Sequence, residues 1–248
     1  MSAKSRARSA LIGMMAAWVA SGAVGSLSAQ DLPEVRQLVT FKFRPNASAE
    51  AESIVLESLL PIYSASPALL RFRALKEAES PEPLDLVLVT SVRGLAGMDA
   101  LNAQLREPRP GKNGIGLLYG KLSALSEWHH DQFVEMLAPV STTRSTPKLW
   151  VFEFVRTTPG EREGFRQIVE SFVAPWERDR TFVKVSETGR ALIADGWDFI
   201  RFLGFDSLAD YHAYRTSLQA QPFGLALDGL VAVRKILVLR PDDKYAVR

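Results

Sequence analysis

Apolar and polar residues alternate over residues 35–44. Val39, Phe41 and Phe43 share one side, while Leu38, Thr40, Lys42 and Arg44 share the other, the period-two pattern of a strand. Pro45-Asn46 ends it, and Ser48 with Glu50 and Glu52 opens a helix whose apolar face is Ile54, Leu56, Leu59 and Leu60, up to Pro61. Residues 69–78 predict a second strand, closed by Pro81 and Pro83, and 85–92 is a Leu/Val run suited to a buried strand. Gly94-Leu95-Ala96-Gly97 leads into a helix through Leu101 and Leu105, a broken helix follows Gly114, and 128–137 reads as a last strand. Residues 139–147 are Ser/Thr/Pro-rich without large apolar side chains, as in a linker. The same order then returns: a strand over 148–156, a helix from Thr158-Pro159-Gly160-Glu161 to about Val173, and one or two strands over 182–194 with a turn at Gly189. A strand over 197–205, a helix over 208–217 capped by Asp206-Ser207, and a strand over 233–239 stopped by Pro241 complete it.

The recurrence extends to individual residues. Segment 84–105 lies without gaps on 197–218, so that Asp85 meets Asp198, Leu95-Ala96 meets Leu208-Ala209, Ala100 meets Ala213 and Leu105 meets Leu218. Upstream, Phe41-Lys42-Phe43 is matched with Phe152-Glu153-Phe154. A unit of roughly a hundred residues is a small domain, not a solenoid repeat. The chain therefore divides into 1–29, a first repeat at 30–138, the linker 139–147 and a second repeat at 148–248. Each repeat reads β-α-β-β-α-β, the ferredoxin-like order of an α+β domain with both helices on one face of an antiparallel sheet. The uncovered faces can cover each other, which gives two tandem repeats packed sheet to sheet as an intrachain pseudo-dimeric barrel.

Residues 38–45 (LVTFKFRP) and 84–90 (LDLVLVT) resemble the stress-responsive members of the dimeric α/β-barrel superfamily. The second copy, over 199–219, is similar to its NIPSNAP and antibiotic-biosynthesis monooxygenase branches. The resemblance spans nearly all of 35–240 and implies fold more than function, since one fold hosts many activities. The superfamily includes cofactor-free oxygenases, polyketide cyclases and haem-degrading enzymes, whose pockets lie between sheet and helices. Members acting on polyketides or haem place a His in an Asn-His-Pro-like turn after the second helix. Here the corresponding stretches, 104–108 (QLREP) and 217–222 (SLQAQP), lack it.

The first residues change the electrostatic picture. Lys4, Arg6 and Arg8 precede an apolar stretch from Ala10 to about Val24 and then Gly25, Ser26, Ser28 and Ala29, the order of an export signal cleaved after Ala29. The whole chain carries a net +2; without 1–29 it holds 27 basic and 28 acidic residues, a net −1. No basic field remains for nucleic acid, and no stable membrane insertion is expected after cleavage. A periplasmic or secreted location follows. With no Cys there is no disulfide, thiolate nucleophile or thiolate metal site.

Candidate chemistry is sparse. No Gly-rich phosphate loop, nucleophile elbow or HExxH pattern is present, and neither a metal nor a cofactor is expected. His129 and His130 are adjacent on a strand and point to opposite faces, so one metal cannot take both. His212, early in the last long helix, could reach a sheet–helix pocket or serve as a half-buried helix residue. With Phe41/Phe43 and Phe152/Phe154 facing their helices, Lys42 and Glu153 point into the barrel, and Arg201 stands on the strand beside Glu153. These charges are either a buried pair fixing the register of the repeats or polar anchors for a ligand. Aromatic residues, Trp197 among them, concentrate in repeat two and favour a pocket there. The ligand-binding candidates are thus Glu153, Arg201, Lys42, His212 and Trp197. The leading expectation is an exported barrel binding a small apolar or aromatic molecule, non-catalytic or weakly catalytic. The alternatives are a cofactor-independent monooxygenase or isomerase, and a structural protein with a filled barrel. A pocket of several hundred Å3 separates the first two from the third.

Overall fold

The computed structural model describes residues 32–79, 83–106, 115–137 and 146–242. The first repeat supplies β1 (Glu34–Phe43), β2 (Leu69–Glu79), β3 (Leu86–Arg93) and β4 (Ser126–Met136). The second supplies β5 (Leu149–Thr157), β6 (Val185–Ile193), β7 (Phe199–Phe205) and β8 (Val231–Pro241). These strands close into one antiparallel barrel in the order β1-β3-β2-β8-β5-β7-β6-β4. The repeats run β4-β1-β3-β2 and β8-β5-β7-β6, and they meet along two seams, β2–β8 and β4–β6. Closure leaves no strand edge open to pair with another chain. The proposed signal and most of the linker lie outside the described residues.

Among the described residues, six helices pack on the outside: α1 (residues 48–64), α2 (Gly94–Arg106), α3 (Ile115–Leu125), α4 (residues 162–178), α5 (Leu208–Gln219) and α6 (Pro222–Gly229). Both α1 and α4 widen into a π-helical turn, Ile54–Leu59 and Val169–Val173, just before Pro61 and Pro175. Proline has no N–H to give and crowds the carbonyl four residues back, and the widened turn makes room for it. Ser207 caps α5 by accepting from Asp210 N at 3.2 Å. Helix α6, which the hydrophobic pattern does not predict, starts on Pro222 almost immediately after α5 ends.

Three cores result. Val39, Phe41, Phe43, Phe72 and Leu88 pack under α1 to α3, and Val151, Val155, Phe199, Leu203 and Phe205 pack under α4 to α6. Leu38, Val89, Trp150, Phe152, Phe154, Phe202, Leu237 and Leu239, from both repeats, fill the barrel. The expected matching of Phe41-Lys42-Phe43 with Phe152-Glu153-Phe154 is therefore wrong. Asp85 N donates to Phe41 O at 2.9 Å and Asp85 Oδ2 accepts from Phe43 N at 2.7 Å. Asp198 makes the same two bonds to Val155 O, at 2.8 Å, and from Thr157 N, at 2.8 Å. Phe41 is thus equivalent to Val155, and Leu38-Val39-Thr40 to Phe152-Glu153-Phe154. The pattern match slipped by three residues, an odd number, which exchanges the faces of a strand. Glu153 faces the helices, not the barrel interior.

Gly189 also departs from expectation. It is no turn, because β6 runs straight through it. A Cβ there would overlap the Val134 side chain across the β4–β6 seam, so glycine permits the close approach that joins the repeats.

Candidate functional site

Under the second helix layer lies a closed polar cluster. Glu153 and Arg201 are cross-strand partners on β5 and β7, and α4 and α5 bring in Glu177 and Tyr214. Arg201 donates to Glu153 at 3.3 Å, to Glu177 at 2.5 Å and to Tyr214 Oη at 2.9 Å. Glu177 also accepts from Tyr214 Oη at 2.7 Å and from Ser186 Oγ at 2.5 Å, and Arg215 reaches Glu153 at 3.4 Å. All four central residues are at most 1 % exposed. Burial works against the Arg201 cation, but Tyr214, Glu177 and Glu153 outweigh it and raise its pKa well above the ordinary value. Burial holds the Tyr214 phenol protonated, so it serves as a donor.

The first repeat performs the same packing without charge. Glu153 is equivalent to Val39, Arg201 to Leu88, Glu177 to Tyr63 and Tyr214 to Leu101, and all four counterparts belong to the first outer core. Space between the second sheet and its helices is taken up by this cluster with Phe165, Phe199 and Phe205, each at most 3 % exposed. It does not fit a haem or another prosthetic group. Glu153 and Arg201 are therefore sheet–helix residues and not anchors inside the barrel. His212 is exposed on α5 with its ring centroid 5.9 Å from that of Tyr211. Lys42 sits at the end of β1 and pairs with Asp85 at 3.4 Å.

Charges inside the barrel come from residues outside the set of candidates. Arg36 on β1 meets Glu187 on β6 at 2.7 Å, across the repeats, and Glu34 at 2.7 Å, with its guanidinium 4.8 Å over Phe202. Arg73 lies 4.8 Å over Trp150. Burial first, then repulsion by Arg71 and Arg36, lowers its pKa to about 10. The registers make Glu187 equivalent to Arg73 and Arg36 equivalent to Trp150, so the two contacts are counterparts across the pseudo-two-fold. Arg36 was legible, standing among the alternating positions of β1 on the side of Leu38 and Thr40.

The other end of the barrel holds a cavity of about 120 Å3. A two-residue hairpin turn shapes one wall. Asp195 and Gly196 both have positive φ, 47° and 83°, as the tight turn between twisted strands requires. Trp197 N donates back to Ala194 O at 2.9 Å, and Arg156 fixes the loop by donating to Gly196 O at 2.8 Å and stacking 5.3 Å over Trp197. Trp197 in turn packs 5.9 Å from Phe154. From the first repeat, alternation along β4 turns Trp128, His130 and Gln132 to the same space, beside Thr40 and Leu84. His130 Nδ1 is 3.2 Å from Asp195 Oδ2, a contact between the repeats. Gln132 is 5 % exposed, and among the described residues its Oε1 has no hydrogen-bond partner.

The lining is pseudo-symmetric in position and unlike in chemistry. Thr40 pairs with His130 in the β1–β4 register as Phe154 pairs with Lys235 between β5 and β8, and Leu38 pairs with Gln132 as Phe152 pairs with Leu237. Thr40/Phe154, His130/Lys235, Gln132/Leu237 and Leu84/Trp197 are thus counterparts that all line the cavity. It therefore straddles the junction of the halves. Repeat one brings Thr40, His130 and Gln132 beside Leu84 and Trp128, and repeat two brings Phe154, Trp197 and Leu237 beside the charged Asp195 and Lys235. This corrects one expectation, since the pocket does not belong to repeat two alone; and because large side chains fill the barrel, its volume of about 120 Å3 falls short of the several hundred Å3 that would separate the binding and enzymatic readings from a filled barrel. Of the five ligand-binding candidates named from the sequence, Trp197 alone lines it.

Solved structures share this fold. A candidate monooxygenase of Fusobacterium nucleatum subsp. nucleatum has a TM-score of 0.61 at 8% identity, over 85% of this chain and 93% of that one. An anthrone oxidase-like protein gives 0.59 at 13% identity, over 87% and 94%. A mutant chlorite dismutase of Candidatus Nitrospira defluvii gives 0.59 at 11% identity, over 86% and 92%. The fold is the dimeric α/β barrel. At these identities the likeness is one of fold. The sequence matches no family model and no curated protein. In this dimeric α/β barrel both halves come from one chain, which is what allows the counterpart positions around the cavity to differ. No helix among the described residues is long and apolar enough to cross a membrane.

Proposed function

We propose that the chain is an exported binding protein for a small, flat, single-ring molecule held in the cavity at the barrel mouth, non-catalytic or weakly catalytic. The lining of the cavity carries this reading: Trp128, Phe154 and Trp197 wall it, and Thr40, His130 and Gln132 give it a polar side. A small ring packs against the aromatic walls and meets a polar group at that side. The volume of about 120 Å3 compares with roughly 150 Å3 for a protein cavity that accepts benzene, and falls below the roughly 300–1,000 Å3 of drug-sized sites.

Calorimetric titration with phenol and toluene, which match in size, tests it. Phenol should bind several-fold more tightly than toluene, and Thr40→Phe, which fills the space, should abolish both. Equal binding of the two removes the role of the cavity's polar side, and no binding of either leaves the filled-scaffold reading. Export rests on the order of Lys4, Arg6, Arg8 and the apolar stretch after them. Protein from the native cell envelope should begin at Gln30 by mass spectrometry; an intact Met1 in the membrane contradicts export.

A further inference from the structure

The end of the barrel opposite the cavity holds one cation too many. Glu34, Arg36, Glu187 and Arg71 close a ring of ion pairs there. Arg36 donates to Glu34 Oε1 and to Glu187 Oε2, each at 2.7 Å, and Arg71 donates to Glu34 Oε2 at 2.8 Å and lies 3.8 Å from Glu187 Oε1. Every carboxylate oxygen of the ring faces a guanidinium, and two cations against two anions leave it neutral. Arg73, two residues along β2 from Arg71, stands outside it. Among the described residues its guanidinium has no hydrogen bond and no ion pair, only the Trp150 ring beneath it. The side chain is half-buried, and burial with the neighbouring Arg71 and Arg36 works against the charge it carries. The pseudo-two-fold shows how the surplus arises. Where repeat two sets Glu187 against Arg36, repeat one sets Arg73 against Trp150, so an ion pair on one side is a stacked cation on the other. Where repeat one places Glu34, two residues before Arg36, repeat two places the exposed Lys148. Neither carboxylate of the ring has an acidic counterpart.

We propose that Arg73 binds a small monocarboxylate at this end of the barrel, in a second site independent of the mouth cavity. Stacking on Trp150 holds the plane of the guanidinium and leaves its edge, where the N–H donors lie, for the ligand. A carboxylate matches that fork with two parallel N–H···O bonds. Arg71, its side chain 34 % exposed and its contact with Glu187 long, is the neighbour whose donors are least committed, and it flanks the same anion. The charge count selects the class. Lys148 is exposed and screened by salt, so the excess away from solvent is one charge. One carboxylate neutralises it. A phosphate dianion overshoots it and is repelled by Glu34 and Glu187, and a neutral ligand leaves the cation unmet.

Acetate is the probe, titrated against the full chain at constant ionic strength with chloride as the balancing salt. Proton–nitrogen correlation spectra follow the Nε–H of Arg73 and the indole N–H of Trp150, and in the same spectra the indoles of Trp128 and Trp197 report the mouth cavity. Acetate should shift the Arg73 and Trp150 signals saturably and leave those of Trp128 and Trp197 in place, while acetamide, its uncharged analogue, should move none of them. Inorganic phosphate, above neutral pH where it is a dianion, should bind several-fold more weakly than acetate. Arg73→Met, followed through Trp150, should weaken acetate about ten- to a hundredfold, the worth of hydrogen bonds to a charged group. Arg73→Lys, which keeps the charge without the planar fork, should weaken it by less than Arg73→Met does. The absence of a saturable shift with acetate, or a shift that survives Arg73→Met, overturns the site. Phosphate binding as tightly as acetate overturns the monocarboxylate class, and acetamide binding as tightly overturns the role of charge. Phenol is titrated separately and read at Trp128 and Trp197, so failure of either site leaves the other standing.

Discussion

Arg201→Leu installs at β7 the residue that the first repeat carries at the same place, Leu88, yet it should be strongly destabilising by itself. It removes the cation bonded to Glu177, which is fully buried and keeps the hydroxyls of Tyr214 and Ser186. Glu153 fares better, since Arg215 at 3.4 Å and Tyr211 remain. Breaking a buried pair in this way costs about 3–5 kcal/mol. At about 2–4 °C per kcal/mol for a chain of this size, Tm should fall by roughly 6–20 °C. The triple change Glu153→Val/Glu177→Tyr/Arg201→Leu imports three of the first repeat's four uncharged counterparts, all but Leu101 for Tyr214. It should return stability to within about 2 kcal/mol of wild type or exceed it, because packed apolar groups commonly match a buried ion pair. Urea unfolding followed by far-ultraviolet circular dichroism gives both numbers, and the non-additivity is the diagnostic. Arg201→Leu within about 1 kcal/mol of wild type, or a triple variant no better than the single, would refute the equivalence of the two junctions.

Arg36→Met should cost about 3 kcal/mol by stranding Glu187, the low end for a broken buried pair because Arg71 remains 3.8 Å away; thermal unfolding checks it. Gly189→Val should push β4 from β6, costing about 1–3 kcal/mol, and hydrogen exchange should speed up selectively along β6 and the facing part of β4. Asp198 has a lowered pKa: burial opposes ionisation, but the Thr157 N–H and hydroxyl and the Arg162 guanidinium overcome it. Its stabilisation is therefore fully present above the unfolded carboxylate value near about 4 and lost as pH falls through the lower folded value. Asp198→Asn should be less stable than wild type at neutral pH, and the gap in urea midpoints should close on acidification below about pH 4.

Much of the fold was legible because strands and helices leave periodic traces, and because the gap-free match of 84–105 on 197–218 reported true equivalence from β3/β7 into α2/α5. The faces of β5 were not legible, because Trp150, Phe152 and Phe154 on one side and Val151 and Val155 on the other are all buried. Alternation cannot distinguish two dry faces. Glu153 beside Arg201 was legible as a strand pairing, while Glu177 and Tyr214 were hidden by distance along the chain. The cavity was legible only through Trp197. His130 and Gln132 read as ordinary strand residues until closure brought β4 against the Asp195-Gly196 turn. The Asp-Gly pair itself was the overlooked signal, since between two strands it marks a tight hairpin.

A crystal structure of the protein with phenol tests the central claim most directly. The account predicts ring density in the barrel-mouth cavity against Trp128 and Trp197. Ordered water filling that cavity, with the ring bound elsewhere or absent, would contradict it.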